Sequence, residues 1–567
     1  MKMKRLFNIH LLMLAALCSM AVVLGSCSSE ENVPDGTGTS GTNDKNLTTF
    51  EAGTPKGTRT SMNPTTGDFF WEEGDRIYVL DDNNNWKGSN AVDAAHAGSS
   101  WFKFKVPGKF TAHNTYKVYY PGQMSTNDFA RIPAAQTQTK PNTTKHFGMS
   151  GDCGVATATR ATGERNFNFT LDHQSAILVF QPYTSNTVLH NCYLTKIEVT
   201  SNNDITGTYT FNSTTGALID TGVTTVYNQA VLTTKDPTPG SANEKGFPLT
   251  NATASVSTNG AYMLIKPGTH TLRVRYWIKD YTTGTEGTIT KNLGSFFYDR
   301  NTFYDMTANL DVTEYPGNRY YEWDAIDPYW KDFEWNNANT ALRRQPTVNG
   351  QVNAADAPQS TFGNSAHTSR DFNDVIGGYT DPTGTAPAVQ PSTQHFKDGL
   401  FNLNACRWYI AAGDPYWDNE LWATMGHLYS GGMWVKKLKK IGEAQTPALT
   451  VAQMEATAPD GINYMRSHID ANTSPGNYTA NIKTGRPANL SDYFYIPALG
   501  IYEHGKALVI GASGIWWANF ESGGTKSYSL VLAASPTFFG LSSANREAGY
   551  TLWKNGSNED EYRPNGL

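Results

Sequence analysis

Alternation of apolar and polar side chains over residues 271–279 is the sequence feature that most limits the possible folds. An extended strand places one set of these side chains on an apolar face and the other on a cation-rich face: Leu272, Val274, Tyr276 and Ile278 against Arg273, Arg275, Trp277 and Lys279. A period of two is typical of a half-buried β-strand. Shorter runs of the same kind, or of continuous apolar character, recur at 76–80, 101–106, 117–120, 167–171, 176–180, 196–199 and 261–265. The sequence therefore predicts a mainly β fold.

Composition supports this interpretation. The 567 residues include 51 Gly and are only 17% charged, which favours turn-rich β architecture over helical bundles. The 14 Trp, 29 Tyr and 26 Phe exclude a chain that is disordered throughout. A net charge of −6 argues against a nucleic-acid binder. The length suggests roughly three to four domains.

The first 27 residues indicate the compartment. A basic start is followed by an apolar run over residues 11–24, which is shorter than the about 20 residues that span a bilayer. The run ends in Leu-Gly-Ser-Cys, which resembles the lipobox of bacterial lipoproteins. This resemblance implies cleavage between Ser26 and Cys27 and acylation of Cys27. The alternative is an ordinary secretory signal with a chance cysteine.

Residues 28–31, Ser-Ser-Glu-Glu, resemble the surface-export tag of Bacteroidetes lipoproteins. No later segment is long and apolar enough to span a membrane, so contact with the membrane is expected only through the lipid anchor of the precursor. The expected location is the outer membrane and cell surface, and a fimbrium after processing.

Composition shifts divide the chain into five segments. Residues 1–26 are the signal peptide, and residues 27–45, rich in Ser, Gly and Thr, are a flexible tether. Two blocks with β patterns follow at 46–165 and 166–314. The third block, 315–567, holds 10 of the 14 Trp and mixes strand patterns with a helical spacing over 452–471. It is predicted to be α+β and held together by aromatic side chains.

Catalytic, metal and cofactor motifs are not found in the sequence. H-E-x-x-H, G-x-S-x-G and the Walker loop are missing, so no enzyme, metal or cofactor is predicted. After the signal, Cys153, Cys192 and Cys406 make neither a disulfide framework nor a metal knuckle. A single Cys153–Cys192 disulfide is an alternative, but free thiols are favoured. His173, on an apolar strand, is predicted to be a structural histidine.

Three short motifs occur in blocks one and two: Thr-Arg-Thr-Ser at 58–61, Trp-Glu-Glu-Gly-Asp at 71–75 followed by a strand, and a Phe-x-Phe-x-x-Asp-His strand entry at 167–173. Together they resemble the fimbrillin-type (type V) pilins of Bacteroidetes. The family implies two tandem transthyretin-like β-sandwich domains, in which Trp71 is a core residue. It also implies assembly by donor-strand exchange with an adjacent pilin subunit.

In this mechanism an Arg-specific or trypsin-like protease cuts an exposed loop and releases the first strand. Arg59, followed by Thr60, resembles the processing position. Arg160 and Arg165 are competing positions, and an uncut surface arginine is the remaining alternative.

Block three contains aromatic- and Gly-rich stretches at 405–410, 413–422, 425–434, 492–500, 514–518 and 545–550. They resemble a paralogous surface domain of Fibrobacter and Bacteroides, which is similar to C-type-lectin-like folds. Residues 518–521 depart from the Ser-rich stretch usual in that family. Most of the tryptophans are predicted to be core, with one or two left exposed to stack on sugar rings. The predicted ligand-binding set, placed in one turn-rich loop, is Asp414, Trp417, Asp418 and Asn419.

Together these features predict a fimbrial tip subunit that mediates adhesion. Blocks one and two would accept a donor strand, and block three would be the adhesive head for a host or microbial glycan. The alternative is a surface glycan-binding lipoprotein of a polysaccharide-uptake system, which would not need cleavage at Arg59.

Overall fold

The computed structural model describes residues 2–8, 47–52, 61–62, 69–220, 225–360, 368–372, 402–464, 478–479, 481–523, 525–534 and 537–552. The chain divides into two compact units. Unit 1 comprises Met1–Ser185, Tyr193–Ile278 and Thr288–Leu310. Unit 2 comprises Asn186–Cys192, Lys279–Gly287 and Asp311–Leu567.

Strands dominate the first part of the chain. Its first twelve strands are β1 (Lys2–Asn8), β2 (Leu47–Ala52), β3 (Ser61–Met62), β4 (Phe69–Phe70), β5 (Tyr78–Leu80), β6 (Trp86–Gly88), β7 (Phe102–Pro107), β8 (Thr115–Tyr120), β9 (Phe129–Ile132), β10 (Ala135–Thr137), β11 (Gly154–Thr159) and β12 (Phe167–Phe169). The next twelve are β13 (Asp172–His173), β14 (Ala176–Tyr183), β15 (Tyr193–Ser201), β16 (Thr206–Phe211), β17 (Leu218–Ile219), β18 (Val226–Tyr227), β19 (Gln229–Thr233), β20 (Phe247–Pro248), β21 (Ala261–Ile265), β22 (Gly268–Lys279), β23 (Glu286–Tyr298) and β24 (Thr302–Asn309). The described residues of this part also form two short helices, α1 (Phe147–Ser150) and α2 (Val256–Asn259).

The later part of the chain mixes strands with three further helices. Its strands are β25 (Thr313–Glu314), β26 (Tyr320–Tyr321), β27 (Tyr416–Thr424), β28 (His427–Lys436), β29 (Tyr478–Thr479), β30 (Lys483–Thr484), β31 (Tyr493–Pro497), β32 (Ile501–Glu503), β33 (Lys506–Leu508), β34 (Ser513–Gly523), β35 (Lys526–Ala534), β36 (Thr537–Asn545) and β37 (Tyr550–Thr551). The helices are α3 (Leu403–Ala412), α4 (Leu438–Glu443) and α5 (Val451–Ala456), and short 3₁₀ turns occur at Thr187–Asn191, Thr340–Leu342 and Leu490–Asp492.

The predicted strand patterns of unit 1 are confirmed. The alternating run lies on β22, where Leu272, Val274, Tyr276 and Ile278 are all buried. β7 shows the same period, with Phe102, Phe104 and Val106 inside and both lysines outside. Trp71 is fully buried, as predicted, and packs edge-on against Phe104 with ring centroids 4.9 Å apart. Alternating apolar and polar residues predict the buried face of these strands, because successive side chains of a strand point to opposite faces.

The boundary between the first two blocks differs from the prediction. One sheet has the order β6-β5-β8-β11-β12-β2-β7, with β13 paired to β11, so β12 and β13 extend the first block beyond residue 165. The other sheets of unit 1 are β1-β24-β14-β21, β10-β19-β15-β22-β23 with β20 on β15, and β17-β16-β18 with β9 on β16. Strands β9 and β10 of the first block thus pair with strands of the second. Composition cannot reveal such exchanges, because pairing partners are chosen by tertiary contact.

Residues 2–8, which the sequence assigns to the signal peptide, form β1. This strand pairs antiparallel with β24, from Lys2 opposite Thr307 to Asn8 opposite Thr302. On its other side, β24 runs parallel to β14. In the chain with its leader, β1 is therefore the outer strand of this sheet.

Unit 2 is built on two sheets and an aromatic core. One sheet has the order β25-β27-β28-β31 with β30 on β27, the other has the order β26-β37-β34-β35-β36-β29, and β32 and β33 form a hairpin. Among the described residues of this unit, eight tryptophans are buried: Trp323, Trp330, Trp408, Trp417, Trp422, Trp434, Trp516 and Trp517. Large apolar area buried by aromatic rings, at about 25 cal/mol per Å², stabilises a unit with short helices. The predicted core role of most tryptophans is confirmed.

The helix predicted over 452–471 is wrong over residues 457–464, and residues 465–471 lie outside the described part of the chain. Helix α5 ends at Ala456, and residues 457–464 continue as turns. Pro459 cannot donate a helical hydrogen bond, and Gly461 has φ +83°, so the chain leaves the helix there. The Thr450 and Gln453 side chains form a capping box at the start. Within the described residues no helix is long and apolar enough to cross a membrane.

Candidate functional site

Four of the predicted site residues, Ser26, Cys27, Arg59 and Thr60, lie outside the described residues. The structure does describe the strand that precedes Arg59, which is β2. It also describes the ligand-binding set of block three.

Strand β2 lies inside its sheet, between β7 and β12. Against β7 it runs antiparallel, from Leu47 opposite Pro107 to Ala52 opposite Phe102. Against β12 it runs parallel, with Phe50 opposite Phe167. Because β2 is paired on both sides, its loss would expose backbone donors and acceptors of both neighbours.

The inner face of β2 fills an aromatic slot. Phe50 is fully buried, and Ala52 is 2% exposed. The Phe50 ring stacks on Phe167, with centroids 5.0 Å apart and planes inclined at 14°, and meets Phe110 edge-on at 5.2 Å. Burying a phenylalanine contributes about 1.5–3 kcal/mol. Whatever replaces β2 must therefore supply a large apolar side chain at the position of Phe50.

The outer face of β2 is held by polar contacts. Trp101 Nε1 donates to Glu51 Oε1 at 2.8 Å, and Lys105 Nζ donates to Thr49 Oγ1 at 3.1 Å. These contacts are solvent-exposed, so they add little to stability compared with the buried face. The strand is consequently retained mainly by backbone pairing and by Phe50.

The competing arginines occupy different positions. Arg160 Nη2 donates to the carbonyl of His113 at 3.3 Å, and its guanidinium lies 4.7 Å from the centroid of the Phe167 ring. Arg165 is exposed in the connection between β11 and β12. A cut after either residue would fall downstream of β2 and of β3–β11, so it would not separate β2 from β7. Of the three arginines, only Arg59 comes after β2 and before the other strands of its sheet in chain order. A cut after Arg59 therefore separates β2 from those strands.

The predicted ligand-binding set lies along β27, where the sequence analysis placed a loop. Trp417, Asp418 and Asn419 are strand residues, and Asp414 precedes the strand with φ 44°. The prediction of one turn-rich loop is therefore wrong for three of the four. Trp417 and Asp418 are neighbours on an extended strand, so their side chains point to opposite faces of the sheet, and the four residues do not form one site.

Within this set only Trp417 and Asn419 bond to each other, and the two aspartates bond to residues outside the set. Trp417 is 7% exposed, and its Nε1 donates to Asn419 Oδ1 at 2.9 Å. Asp418 Oδ2 accepts from Trp434 Nε1 at 3.0 Å and from Arg486 Nε at 2.8 Å. A buried indole offers no face for stacking on a sugar ring, so Trp417 does not have the exposure that the prediction required.

Asp414 is likewise held by internal bonds. Its Oδ1 lies 2.7 Å from Lys483 Nζ, and Tyr493 donates to its Oδ2 at 2.8 Å. Burial alone would raise the pKa of Asp414, but the bonds from Lys483 and Tyr493 outweigh it and keep the pKa below its usual value. The sequence did not reveal Lys483 and Arg486, which pair with Asp414 and Asp418 respectively from a segment more than sixty positions away. No local pattern marks such partners.

The histidine and the three cysteines that the sequence singled out are all buried. His173 is buried, and its Nδ1 lies 2.7 Å from Asp152 Oδ1, so its placement agrees with the predicted structural role. Cys153, Cys192 and Cys406 are buried free thiols. Burial raises the pKa of each thiol, and that of Cys192 reaches about 12, so none is an activated nucleophile. In the described parts of the chain, no group of three or more His, Cys, Asp or Glu could hold a metal ion.

No protein-family model matches the chain, and no curated protein matches it. Solved structures with partial likeness include a candidate cell adhesion protein from Bacteroides ovatus, at 16% identity and TM-score 0.27, covering 42% of this chain and 84% of that one. A fimbrial protein from Bacteroides ovatus has 13% identity and TM-score 0.23, covering 56% of each chain. The fimbrial anchor protein Mfa2 from Porphyromonas gingivalis has 12% identity and TM-score 0.20, covering 44% of this chain and 83% of that one. TM-scores this low do not establish a shared fold.

Proposed function

We propose that this chain is a fimbrial tip subunit that accepts a donor strand through unit 1 and mediates adhesion through unit 2. The observation that carries the proposal is the position of β2. It is paired on both sides, it buries Phe50 in an aromatic slot, and it precedes Arg59 in the chain. Cleavage after Arg59 would leave β2 held only by non-covalent contacts.

A vacated β2 slot suits β-strand addition. The slot offers backbone groups of β7 and β12 for affinity, and the pocket vacated by Phe50 for specificity. A donor strand from an adjacent pilin subunit would restore both sets of contacts. An Arg-specific or trypsin-like protease would supply the cut.

The tip assignment follows from what comes after the second block. From Asp311 onward the chain belongs to unit 2, a compact domain with its own aromatic core. A stalk subunit needs an extended donor strand after its second domain, whereas a domain in that place suits a subunit that ends the filament. The lipid anchor at Cys27 would serve the precursor during export.

The test is N-terminal sequencing of the protein from sheared surface filaments. A start at Thr60 is expected, because cleavage after Arg59 removes the lipidated leader together with β2. A blocked, acylated Cys27 on protein that stays with the outer membrane would overturn the proposal. That result would favour the second candidate, a surface glycan-binding lipoprotein of a polysaccharide-uptake system.

A matched pair of variants sharpens the test. Arg59→Gln should keep β2 attached and should prevent incorporation into filaments. Arg165→Gln removes an exposed arginine downstream of β2 and should be processed and incorporated normally. Equal incorporation of both variants would contradict a role for Arg59.

A further inference from the structure

A cleft of about 320 Å³ opens on one face of the sheet that contains β34, β35 and β36. It lies wholly within unit 2 and does not include any member of the predicted ligand-binding set. Its volume falls at the lower end of the about 300–1,000 Å³ that small-molecule sites occupy. The cleft is therefore large enough for a small ligand or for the end of a longer one.

Strand alternation produces the floor of the cleft. On β34 and β35, Trp516 and Leu530 point into the main core, so their neighbours Ile515 and Val531 point into the cleft. Ile515 and Val531 are directly opposite each other across the two strands. With Ala544 and Ala548 they form a small apolar floor.

The β32–β33 hairpin contributes one wall. Glu503 pairs with Lys506, so the loop consists of two residues, His504 with φ 47° and Gly505 with φ 75°. Positive φ at both central positions is the geometry of a type I′ turn, which suits the twist of the two strands. This tight turn fixes the positions from which Glu503 and His504 line the cleft.

The remaining lining is polar and has free bonding capacity. Glu547, Ser542, Ser543, Asn545 and Lys526 join Glu503 and His504 around the floor. Among the described residues, no side chain forms a hydrogen bond or ion pair with the carboxylates of Glu503 and Glu547 or with the hydroxyls of Ser542 and Ser543. These groups are available to a ligand.

The chemistry of the lining excludes several ligand classes. Two carboxylates against one lysine disfavour phosphate, sulfate and other anions. The described His, Cys, Asp and Glu residues form no group that could hold a metal ion. A ring of polar groups around a small apolar floor also disfavours a wholly apolar ligand.

A sugar ring fits the lining of the cleft better than the ligand classes just excluded. Its hydroxyls donate to carboxylates and exchange hydrogen bonds with serine hydroxyls, while its C–H face can rest on Ile515 and Val531. We propose that this cleft binds the terminal monosaccharide or disaccharide of a glycan, with preference for neutral or amine-bearing sugars over acidic ones. The inference rests on the adhesive part of the proposed function and assigns it a location and a ligand class.

The experiment uses the purified full-length chain and saturation-transfer NMR. The probes are galactose, glucosamine and glucuronic acid, each presented alone, followed by titration calorimetry of any that bind. Galactose or glucosamine is expected to bind, and glucuronic acid is expected to bind at least about tenfold more weakly because of Glu503 and Glu547.

Three variants locate the binding. Glu547→Gln keeps the size of the side chain but removes its charge, and it should weaken binding about tenfold. Ser542→Phe should fill the cleft and abolish binding, provided that circular dichroism and thermal unfolding show a native fold. Glu455→Gln, on the exposed surface of α5, is the matched control and should bind like the parent chain.

Two results would overturn the proposal. One is saccharide binding that Glu547→Gln and Ser542→Phe leave unchanged, or no saccharide binding at all. The other is binding of a lysine-bearing peptide in this cleft where the sugars do not bind. Neither outcome depends on cleavage at Arg59, so a failure here is distinguishable from a failure of the filament proposal.

Discussion

At the scale of single residues, unit 2 contains a buried ion pair between Arg546 and Glu521. Arg546 is 1% exposed, and its Nη2 lies 2.7 Å from Glu521 Oε2. Its Nε donates to Ser527 Oγ at 3.1 Å, and the guanidinium lies 4.8 Å from the centroid of the Trp323 ring. Removing one member of such a pair leaves the other charged group buried without compensation.

Arg546→Met should destabilise the protein by about 3–5 kcal/mol, because it leaves Glu521 with an uncompensated charge. The measurement is the urea dependence of unfolding. Arg344 pairs with Asp356 at 3.1 Å on the surface, so Arg344→Met is the control and should cost about 1 kcal/mol or less. Similar losses in the free energy of unfolding for the two variants would contradict a larger contribution of the buried pair to stability.

The Asp82 carboxylate should make the stability of the fold depend on pH. Burial alone would raise the pKa of Asp82, but hydrogen bonds from Tyr116 and from the backbone N–H groups of Thr111 and Ala112 lower it to about 2. A lowered pKa in the folded state means that the carboxylate stabilises the protein above its unfolded pKa of 3.8. That contribution is lost as the pH falls towards 2.

Asp82→Asn should therefore lower the urea midpoint of unfolding. The difference from the parent should be largest near about pH 5 and should shrink progressively between about pH 4 and about pH 2. The parent and variant are compared at each pH. A difference that stays constant over this range would show that the charge of Asp82 does not stabilise the fold.

At the scale of elements, the two strands nearest the start of the chain have opposite positions. β2 is interior to its sheet, whereas β1 lies outside β24 at the margin of another. If residues 1–26 are removed as a signal peptide, β24 becomes a sheet edge. An edge strand presents unpaired N–H and C=O groups to solvent.

Hydrogen exchange should detect this change. The amides of β24 that bond to β1 should exchange faster in a chain lacking residues 1–26 than in the full precursor. The amides of β21, at the opposite margin of the sheet, serve as the internal control. Equal exchange rates on β24 in both forms would mean that β1 does not protect it.

The β2 slot should also select its occupant by side chain. After cleavage at Arg59 and removal of β2, a synthetic peptide of residues 46–58 should bind the emptied chain. Phe50→Ala in the peptide should weaken binding by at least about a hundredfold, because a large ring is lost from a packed slot. Thr49→Ala, on the outer face, is the control, and fluorescence anisotropy is the measurement. Equal affinities would contradict the aromatic slot as the specificity element.

At the scale of the whole molecule, the proposed roles of unit 1 as strand acceptor and unit 2 as adhesive domain have a consequence for assembly. A chain that accepts a strand but does not donate one ends a polymer. Unit 2 folds around its own core, and those of its strands that the structure describes pair within the unit.

The protease-treated, purified chain should therefore stay monomeric in light scattering after size exclusion. It should still take up the 46–58 peptide, which serves as the control for an open slot. Growth of self-polymers after treatment would contradict the tip assignment.

The sequence by itself determined which segments are strands and which faces they bury, as β7, β22 and Trp71 illustrate. These properties follow from a local period and from the size of the side chains. It also indicated that most tryptophans of the last block are core. Pro459 and Gly461 could have limited the helix predicted over 452–471, because both signals lie within it.

Only the tertiary structure decided the pairing of β2 with β12, the exchange of β9 and β10 into sheets of the second block, and the burial of Trp417. It also brought Lys483 and Arg486 to Asp414 and Asp418, and assembled the cleft from β32 to β37. Each of these depends on contacts between residues far apart in the chain, where a one-residue change of register reverses every face. Local patterns carry no information about such partners.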